Sequence, residues 1–436
     1  MSHYKPYPAY KESGVEWIGL VPEHWEVKPI KIVASCNDDS LSEAISPDTP
    51  IRYVDISAVS HDKGITDAEP MLFGDAPSRA RRTAKVGDVV VSTVRTYLKA
   101  VASVDEGNAD CVYSTGFAVL RARIGQLKPE FLKWLALNEL IIQAIEAHSE
   151  GLSYPAINAP DLTNLKAVLP GLGEQVRIST ILDRETTRID SLITKKTRFI
   201  ELLKEKSQAL ITHAVTKGLD PKAKMKDSGV EWIGEVPEHW AAMKFGRIAS
   251  VAEGLVDPLI EPYRSMTLIA PNHIESGTGK ILKLETSAEQ NAESGKYTCP
   301  AGAVVYSKIR PALAKVSIAP FDALCSADMY PLQCTNLAEN KWLFYLMLSR
   351  PFTLWAILES DRVAMPKINR ESLSDLSLYV PPRVEQAGAV QYLDLNLPKI
   401  DAIAFKVKRS IDLLRERRSA FITAAVTGQI DLREPT

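Results

Sequence analysis

The sequence predicts an α+β protein made by internal duplication: two strand-rich modules in tandem, each followed by a long amphipathic helix, with the two helices pairing. Three observations predict this. Glu174 to Asp220 carries apolar residues at helical spacing, with no Pro or Gly before Gly218. Glu385 to Asp431 repeats that pattern at an offset of 211 residues. Ser13–Trp25 (SGVEWIGLVPEHW) and Ser228–Trp240 (SGVEWIGEVPEHW) differ at one position of thirteen, Leu20 against Glu235, and such a match marks a duplicated chain. The expected boundaries are a first module over 1–169 with its lead-in segment at 13–25, and a helical spacer over 170–220. A second module follows over 221–380 with its lead-in at 228–240, then a second spacer over 381–436.

In chain order, the lead-in segments read as extended and Trp-anchored. Trp17, Trp25, Trp232 and Trp240 are expected to pack against a domain edge, with ligand stacking as the competing role. Residues 26–169 and 241–380 then read as globular modules. Ile51–Ile56, Val86–Val94, Val304–Ile309 and Ala314–Ile318 have the β-branched enrichment of strands. Pro129–Ala147 and Asn340–Leu358 follow as amphipathic helical stretches, the second broken at Pro351. Each module closes on a similar turn and short strand, Tyr154-Pro155-Ala156-Ile157-Asn158 against Met365-Pro366-Lys367-Ile368-Asn369.

The first long helix has its seam at Leu182, Ile189, Ile193, Ile200, Leu203 and Leu210, with breaks at Lys196 and Ser207 placed to set register. The second has Leu393, Ile400, Val407, Ile411, Leu414 and Phe421 on its seam, and Pro398 inside it should kink or break the helix. A helix this long with a narrow seam needs a helical partner, and the repeat supplies one. The retained framework and divergent interiors suggest two binding units that read different targets.

Composition bounds the function. The chain has 436 residues, 45 % hydrophobic and 24 % charged, with a net charge of −2, so nucleic-acid contact has to come from local basic patches. No apolar run reaches the roughly 18 residues of a membrane span, and the first residues have no signal core, so a cytoplasmic protein is expected. Cys36, Cys111, Cys299, Cys325 and Cys334 form an odd set without a CxxC pair, read as reduced thiols with no metal site.

The candidate chemistry lies at strand ends. Gly87–Arg95 (GDVVVSTVR) parallels Gly302–Arg310 (GAVVYSKIR), each an apolar strand ending in hydroxyl and basic groups. Ser92, Thr93, Arg95 and Lys99 in the first module, and Ser307, Lys308, Arg310 and Lys315 in the second, are donors suited to phosphates or guanine edges. A solvated strand end is the bland alternative. Arg79, Arg81 and Arg82 form a basic cluster in RARRTAK, suited to phosphate or simply a solvated loop. Ser114 and Thr115 stand at a turn before Gly116, matched in position by Ser326–Tyr330. Tyr97, Tyr154 and Lys367 complete the candidate DNA-binding set. Catalytic motifs are missing: no GxxxxGK[ST], HExxH or GxSxG, and no Asn/Asp-Pro-Pro-aromatic motif of amino-methyltransferases. Gly277-Thr278-Gly279-Lys280 lacks phosphate-loop spacing. His24 and His239 join no motif and read as core or capping residues.

The duplicated SGVEWIG-x-VPEHW, the turns from Pro170 and Pro381 into Glu174-Gln175 and Glu385-Gln386, and the helix endings AVTKGLD and AVTGQID together resemble the specificity subunit of type I restriction-modification systems, often called HsdS. The resemblance spans essentially the whole chain. It implies two target-recognition domains on an antiparallel coiled coil with pseudo-twofold symmetry, each reading half of a bipartite, asymmetric site in double-stranded DNA. It implies helices that set the gap and dock two DNA methyltransferase subunits, joined by restriction/translocase subunits. It implies a non-catalytic chain without a cofactor, with S-adenosylmethionine, ATP and Mg on the partners. One helical turn more or less, about 5.4 Å, should shift the preferred gap by about one or two base pairs. Ala303 stands where the first module has Asp88, and Ser-Thr-Gly-Phe is replaced, so the second module departs from the first. A coiled-coil scaffold without DNA specificity is the alternative.

Overall fold

The computed structural model describes residues 4–42, 44–230, 232–360 and 366–433. Glu231 and Met365 of the repeated stretches lie outside the described residues. The chain divides into two compact units, Met1–Lys196 with Arg409–Thr436, and Thr197–Lys408. The division falls inside each long helix, so each unit holds one module, one half of the first helix and one half of the second.

In unit 1 a four-stranded antiparallel sheet has the order Val101–Ser103, Val89–Ser92, Phe117–Ala122, Ala34–Cys36. A second sheet has the order Glu69–Leu72, Pro50–Val54, Val112–Ser114, Ala80–Thr83, with Val112–Ser114 parallel to Pro50–Val54. Unit 2 repeats the first sheet with Val316–Ile318, Val304–Ser307, Met329–Cys334 and Ala249–Val251, and the second with three strands, Leu268–Ile269, Ala323–Cys325 and Tyr297–Cys299.

The central strands read as unbroken apolar runs because both faces are covered. Side chains alternate across a strand. Val89 and Val91 therefore enter the core against the helices, while Val90 enters the core toward the second sheet. Val304 and Tyr306 separate from Val305 in the same way.

The stretch expected as one helix over Pro129–Ala147 is two, Pro129–Ala136 and Glu139–Ala147. Asn138 separates them, because its side chain accepts from the Leu140 amide and starts the second as an N-cap. In unit 2 the break falls as expected beside Pro351, between Asn340–Leu348 and Arg350–Ser360. The lead-in segments are small hairpins, Tyr10–Glu12 with Leu20–Pro22 and Met225–Asp227 with Glu235–Pro237, rather than simply extended. Trp25 and Trp240 are buried, and Trp17 and Trp232 pack half-buried on the unit cores.

The long helices cover Leu172–Thr216 and Arg383–Val426. Each starts on a buried glutamine. Gln175 donates to the Pro170 and Gln126 carbonyls at 3.0 and 3.3 Å and accepts from the Lys128 amide at 2.9 Å. Gln386 repeats this with Pro381, Leu337 and Glu339, each at 2.9 Å. In unit 1 Ile178 and Leu182 share a core with Phe421, Ile422 and Ala425, and Arg418 pairs with Asp190 at 3.0 Å. In unit 2 Ile211 and Val215 share a core with Ala389 and Leu393. Early residues of one helix meet late residues of the other within each unit, so the helices run antiparallel. Leu182, Ile189, Leu203, Leu393, Ile400, Ile411 and Phe421 are buried on this seam; Ile193, Ile200, Leu210, Val407 and Leu414 are half-buried.

Pro398 does not break the second helix, which continues through it. The proline is exposed, while Leu393 and Ile400 beside it are buried. The backbone carbonyl it frees therefore sits on a wet face, and core packing holds the helix on either side.

Candidate nucleic-acid interface

The paired strands Val89–Ser92 and Val304–Ser307 lead into one backbone figure in both units. Arg95 is left-handed (φ 51°, ψ 49°), Thr96–Leu98 form a turn of 3-10 helix, and Lys99 is left-handed again (φ 50°, ψ 39°). In unit 2 Arg310 (φ 48°, ψ 60°) and Ala314 (φ 43°, ψ 49°) bracket Pro311–Leu313. A non-glycine residue held there costs on the order of 1–3 kcal/mol, so surrounding bonds must enforce the arch. The Ser92 amide donates to Ala100 at 2.8 Å and the Ser307 amide to Lys315 at 2.9 Å. Thr93 donates its amide to Gly116 at 2.8 Å, and Lys308 donates to Asp328 at 3.0 Å. The Ile157 and Ile368 amides donate to the Thr93 and Lys308 carbonyls, both at 2.9 Å.

These bonds divide the candidate residues. Ser92 and Ser307 are buried, with hydroxyls donating to the Val94 and Ile309 carbonyls at 2.5 and 3.0 Å. Ser114 is buried and accepts from the Gly116 amide. Thr93 donates its hydroxyl to Gly116 at 2.9 Å. Lys99 is bound to Glu139 at 2.5 Å, which raises its pKa. Lys315 donates to the Pro271 carbonyl at 2.6 Å. Lys99 occupies the place of Ala314 in the second arch, so the two lysines are not equivalent.

Arg79, Thr115, Arg95, Tyr97, Tyr154, Arg310 and Lys367 remain exposed. Arg79 is tied to the Tyr53 hydroxyl at 3.0 Å and Asp55 at 3.3 Å, Tyr53 first and Asp55 second holding it above its ordinary pKa. Its carbonyl takes the Thr115 amide at 2.7 Å. Arg95 lies over the Tyr154 ring at 5.0 Å. The strand-end bonds thus gather Arg79, Thr93, Arg95, Thr115 and Tyr154 on one region of unit 1. Arg81 lies over Phe73 at 4.9 Å, and the buried Arg82 Nε has no hydrogen-bond partner among the described residues. In unit 2 Lys308 lies over Tyr330 at 5.4 Å, and Lys367 bridges to Ile309.

Sequence reasoning missed Arg370. It donates to the Tyr297 hydroxyl at 2.9 Å and lies 5.5 and 5.7 Å from the Tyr297 and Tyr330 rings. No local signal could have joined residues so far apart. It also misplaced His24 and His239, which are exposed and pair with Glu174 and Glu385 rather than filling a core or capping a helix. All five cysteines are free, and no helix among the described residues is long and apolar enough to cross a membrane.

Two sheet-bearing units carried on paired antiparallel helices define the class. A chain from a solved type I R-M system, studied for complex assembly and conformational transition, has this fold with a TM-score of 0.72 at 23 % identity, over 94 % of this chain and 99 % of that one. The HsdS subunit of Thermoanaerobacter tengcongensis aligns with a TM-score of 0.51, also at 23 % identity, over 94 % and 98 %. No protein-family model matches the chain. The type I restriction enzyme EcoDI specificity subunit of Escherichia coli is 31 % identical over 319 residues, 70 % of each chain. The chain belongs to the type I restriction enzyme specificity subunits.

Proposed function

We propose that this chain is the DNA-reading subunit of a modification and restriction complex, with unit 1 and unit 2 each reading one half of a bipartite, asymmetric site. One observation carries the reading: the same arch is built twice on the same frame, while the side chains around it differ. Tyr97 in the first arch is replaced by Ala312 in the second, and Thr93 by Lys308. A shared frame with unlike surfaces suits two half-sites of unlike sequence, with direct readout in the major groove.

The outer faces of the paired helices suit partner subunits. Leu192, Phe199 and Leu202 on the first helix, seven and three residues apart and so on one face, and Ile403, Phe405 and Leu413 on the second are exposed, and exposed apolar side chains gathered on a face mark an interaction surface. We assign these faces to two DNA methyltransferase subunits, with restriction/translocase subunits joining them. In this reading S-adenosylmethionine belongs to the methyltransferase and ATP with Mg to the restriction subunit. This chain supplies no catalytic group, and the complex works in the cytoplasm.

The test is methylation-detecting sequencing of DNA from cells with and without this gene, the methyltransferase subunits being present in both. A split, asymmetric methylated motif seen only with the gene is the expected result. An unchanged pattern in cells shown to hold the assembled complex would remove the DNA-reading function.

A further inference from the structure

Among the described residues, the non-glycine residues at positive φ are Asn37, Asn291, Arg95, Lys99, Arg310 and Ala314. Asparagine tolerates that region because its short amide bonds locally. The remaining four are the arch residues, so the strain of both units is concentrated at two equivalent places. Strain that surrounding bonds enforce is found at sites where a side chain has to be aimed.

What is aimed differs from what builds the arch. Ser92, Thr93, Lys99, Ser307 and Lys315 direct their polar groups into the protein. Arg95 and Arg310 do not. Both are exposed, and neither has an acidic partner or a side-chain hydrogen bond among the described residues. Each is the first left-handed residue of its arch. The Thr96 amide donates to the Pro155 carbonyl at 3.4 Å, next to Tyr154 in the chain, and the Arg95 guanidinium lies over the Tyr154 ring, 5.0 Å from its centroid. Stacking on a ring leaves the donor edge of the guanidinium open in its plane. A planar donor fork held in one orientation matches the O6 and N7 acceptors of guanine in the major groove. A phosphate contact needs no such aiming.

We infer that Arg95 and Arg310 are the guanine-reading residues of units 1 and 2, and that Tyr154 is the positioning residue that fixes the plane of Arg95. This rests on the DNA-reading function proposed above. Each half-site then contains at least one G·C pair that depends on its arch arginine.

The test uses the full chain co-expressed with its methyltransferase subunits, read by methylation-detecting sequencing. Arg95→Gly suits the positive φ, so loss of reading is not confused with loss of the arch; Arg95→Lys keeps the charge and removes the fork. Both should relax one G·C position of one half-site by about five- to a hundredfold and leave the other half-site intact. Arg310→Gly should do the converse. Tyr154→Leu should weaken the same position as Arg95→Gly, and by less. If Arg95→Gly lowers methylation of the unchanged motif uniformly, with a binding salt slope shallower by about one, Arg95 is a phosphate contact and the inference is overturned. An unchanged motif and rate overturns it as well. A chain with the interior of unit 1 exchanged for that of a relative is the control. If that exchange leaves the motif unaltered, the failure lies with the DNA-reading function and not with Arg95.

Discussion

His24 Nε2 lies 3.0 Å from Glu174 Oε2, and the same bond recurs in unit 2 between His239 and Glu385 at 2.7 Å. Each joins a lead-in hairpin to the first turn of a long helix. This accounts for the near-identity of the two lead-in segments: each fits the same joint. The carboxylates have further partners. Glu174 accepts from the Tyr7 hydroxyl at 2.7 Å, and burial, then this bond, pushes the Tyr7 phenol up. Glu385 accepts from Trp240 Nε1 at 3.0 Å. Glu174→Ala and Glu385→Ala should each cost about 1–3 kcal/mol, because a buried donor is left without its acceptor. His24→Ala should cost less than about 1 kcal/mol, since the imidazole is largely solvated. Urea unfolding of the three variants checks the order. Equal losses for His24→Ala and Glu174→Ala would place the energy in the ion pair instead.

The two helix ends should respond unequally to one methyl group. Gly428 (φ 74°) and Gly218 (φ 72°) both end a long helix in the left-handed region. A Cβ at Gly428 meets the ring carbons of Pro22, with Trp25 Cζ3 at 3.2 Å. At Gly218 the nearest atom is Trp240 Cζ2 at 3.3 Å. Gly218→Ala should cost about 1–2 kcal/mol for backbone conformation alone. Gly428→Ala should add about 1–3 kcal/mol of overpacking. Thermal unfolding of the two variants measures the difference, and matching losses would show that the Pro22 ring moves aside freely.

Much of this fold was legible in the sequence because its signals are local. The apolar runs around Val89 and Val304, the seam from Leu182 to Leu203 and the break beside Pro351 each follow from neighbours along the chain. Asn138 was a missed cap, since the apolar period of Pro129–Ala147 runs on across it. Among the candidate residues, the exposed places of Arg95 and Arg310 just beyond their strands were legible from strand position. The roles of Ser92 and Ser307 were not, because a buried hydroxyl that bonds its own backbone two residues on has the same composition as an exposed one. Arg370 was hidden for the opposite reason: its rings come from Tyr297 and Tyr330, which only folding brings close.

Arg121 marks a difference between the units that pH should expose. It holds the buried Asp88 through Nε at 2.9 Å and Nη2 at 2.6 Å, and Asp39 through Nη1 at 2.7 Å. In unit 2 the matching strand positions are Ala303 and Gln333. Arg121→Gln leaves the buried Asp88 carboxylate without its counter-charge, with the Lys85 amide at 2.7 Å as a remaining donor, and should cost about 3–5 kcal/mol near neutral pH. Asp39 has its pKa lowered by the bond to Arg121 first and Lys85 second. A depressed carboxylate stabilises the fold above its unfolded pKa, about 3.9 for aspartate, and that contribution is lost as the pH falls through the folded value. The gap between wild type and Arg121→Gln should therefore hold steady above about pH 5 and narrow from there to about pH 3 and below. Unfolding followed across that range checks it; a constant or widening gap would mean that Arg121 acts through packing.

At Pro398 the second long helix works against its own backbone. It lacks the amide that would bond back to residue 394, yet the helix is continuous from Arg383 to Val426. The seam supplies what the backbone withholds: Leu393 and Ile400 are buried on either side, and Asp394 is fixed by Lys341 at 2.6 Å and the Tyr345 hydroxyl at 2.7 Å. If packing carries the helix through the proline, Pro398→Ala should restore one backbone bond at an exposed position without disturbing the seam. Proline in a helix interior is about 3 kcal/mol worse than alanine, and its stiffening of the unfolded chain offsets about 0.4–1 kcal/mol of that. A net gain of roughly 2 kcal/mol is expected, read as a higher unfolding midpoint. A loss on substitution would show that the site requires the geometry of the proline, and the same variant's methylated motif would then reveal whether that geometry serves recognition.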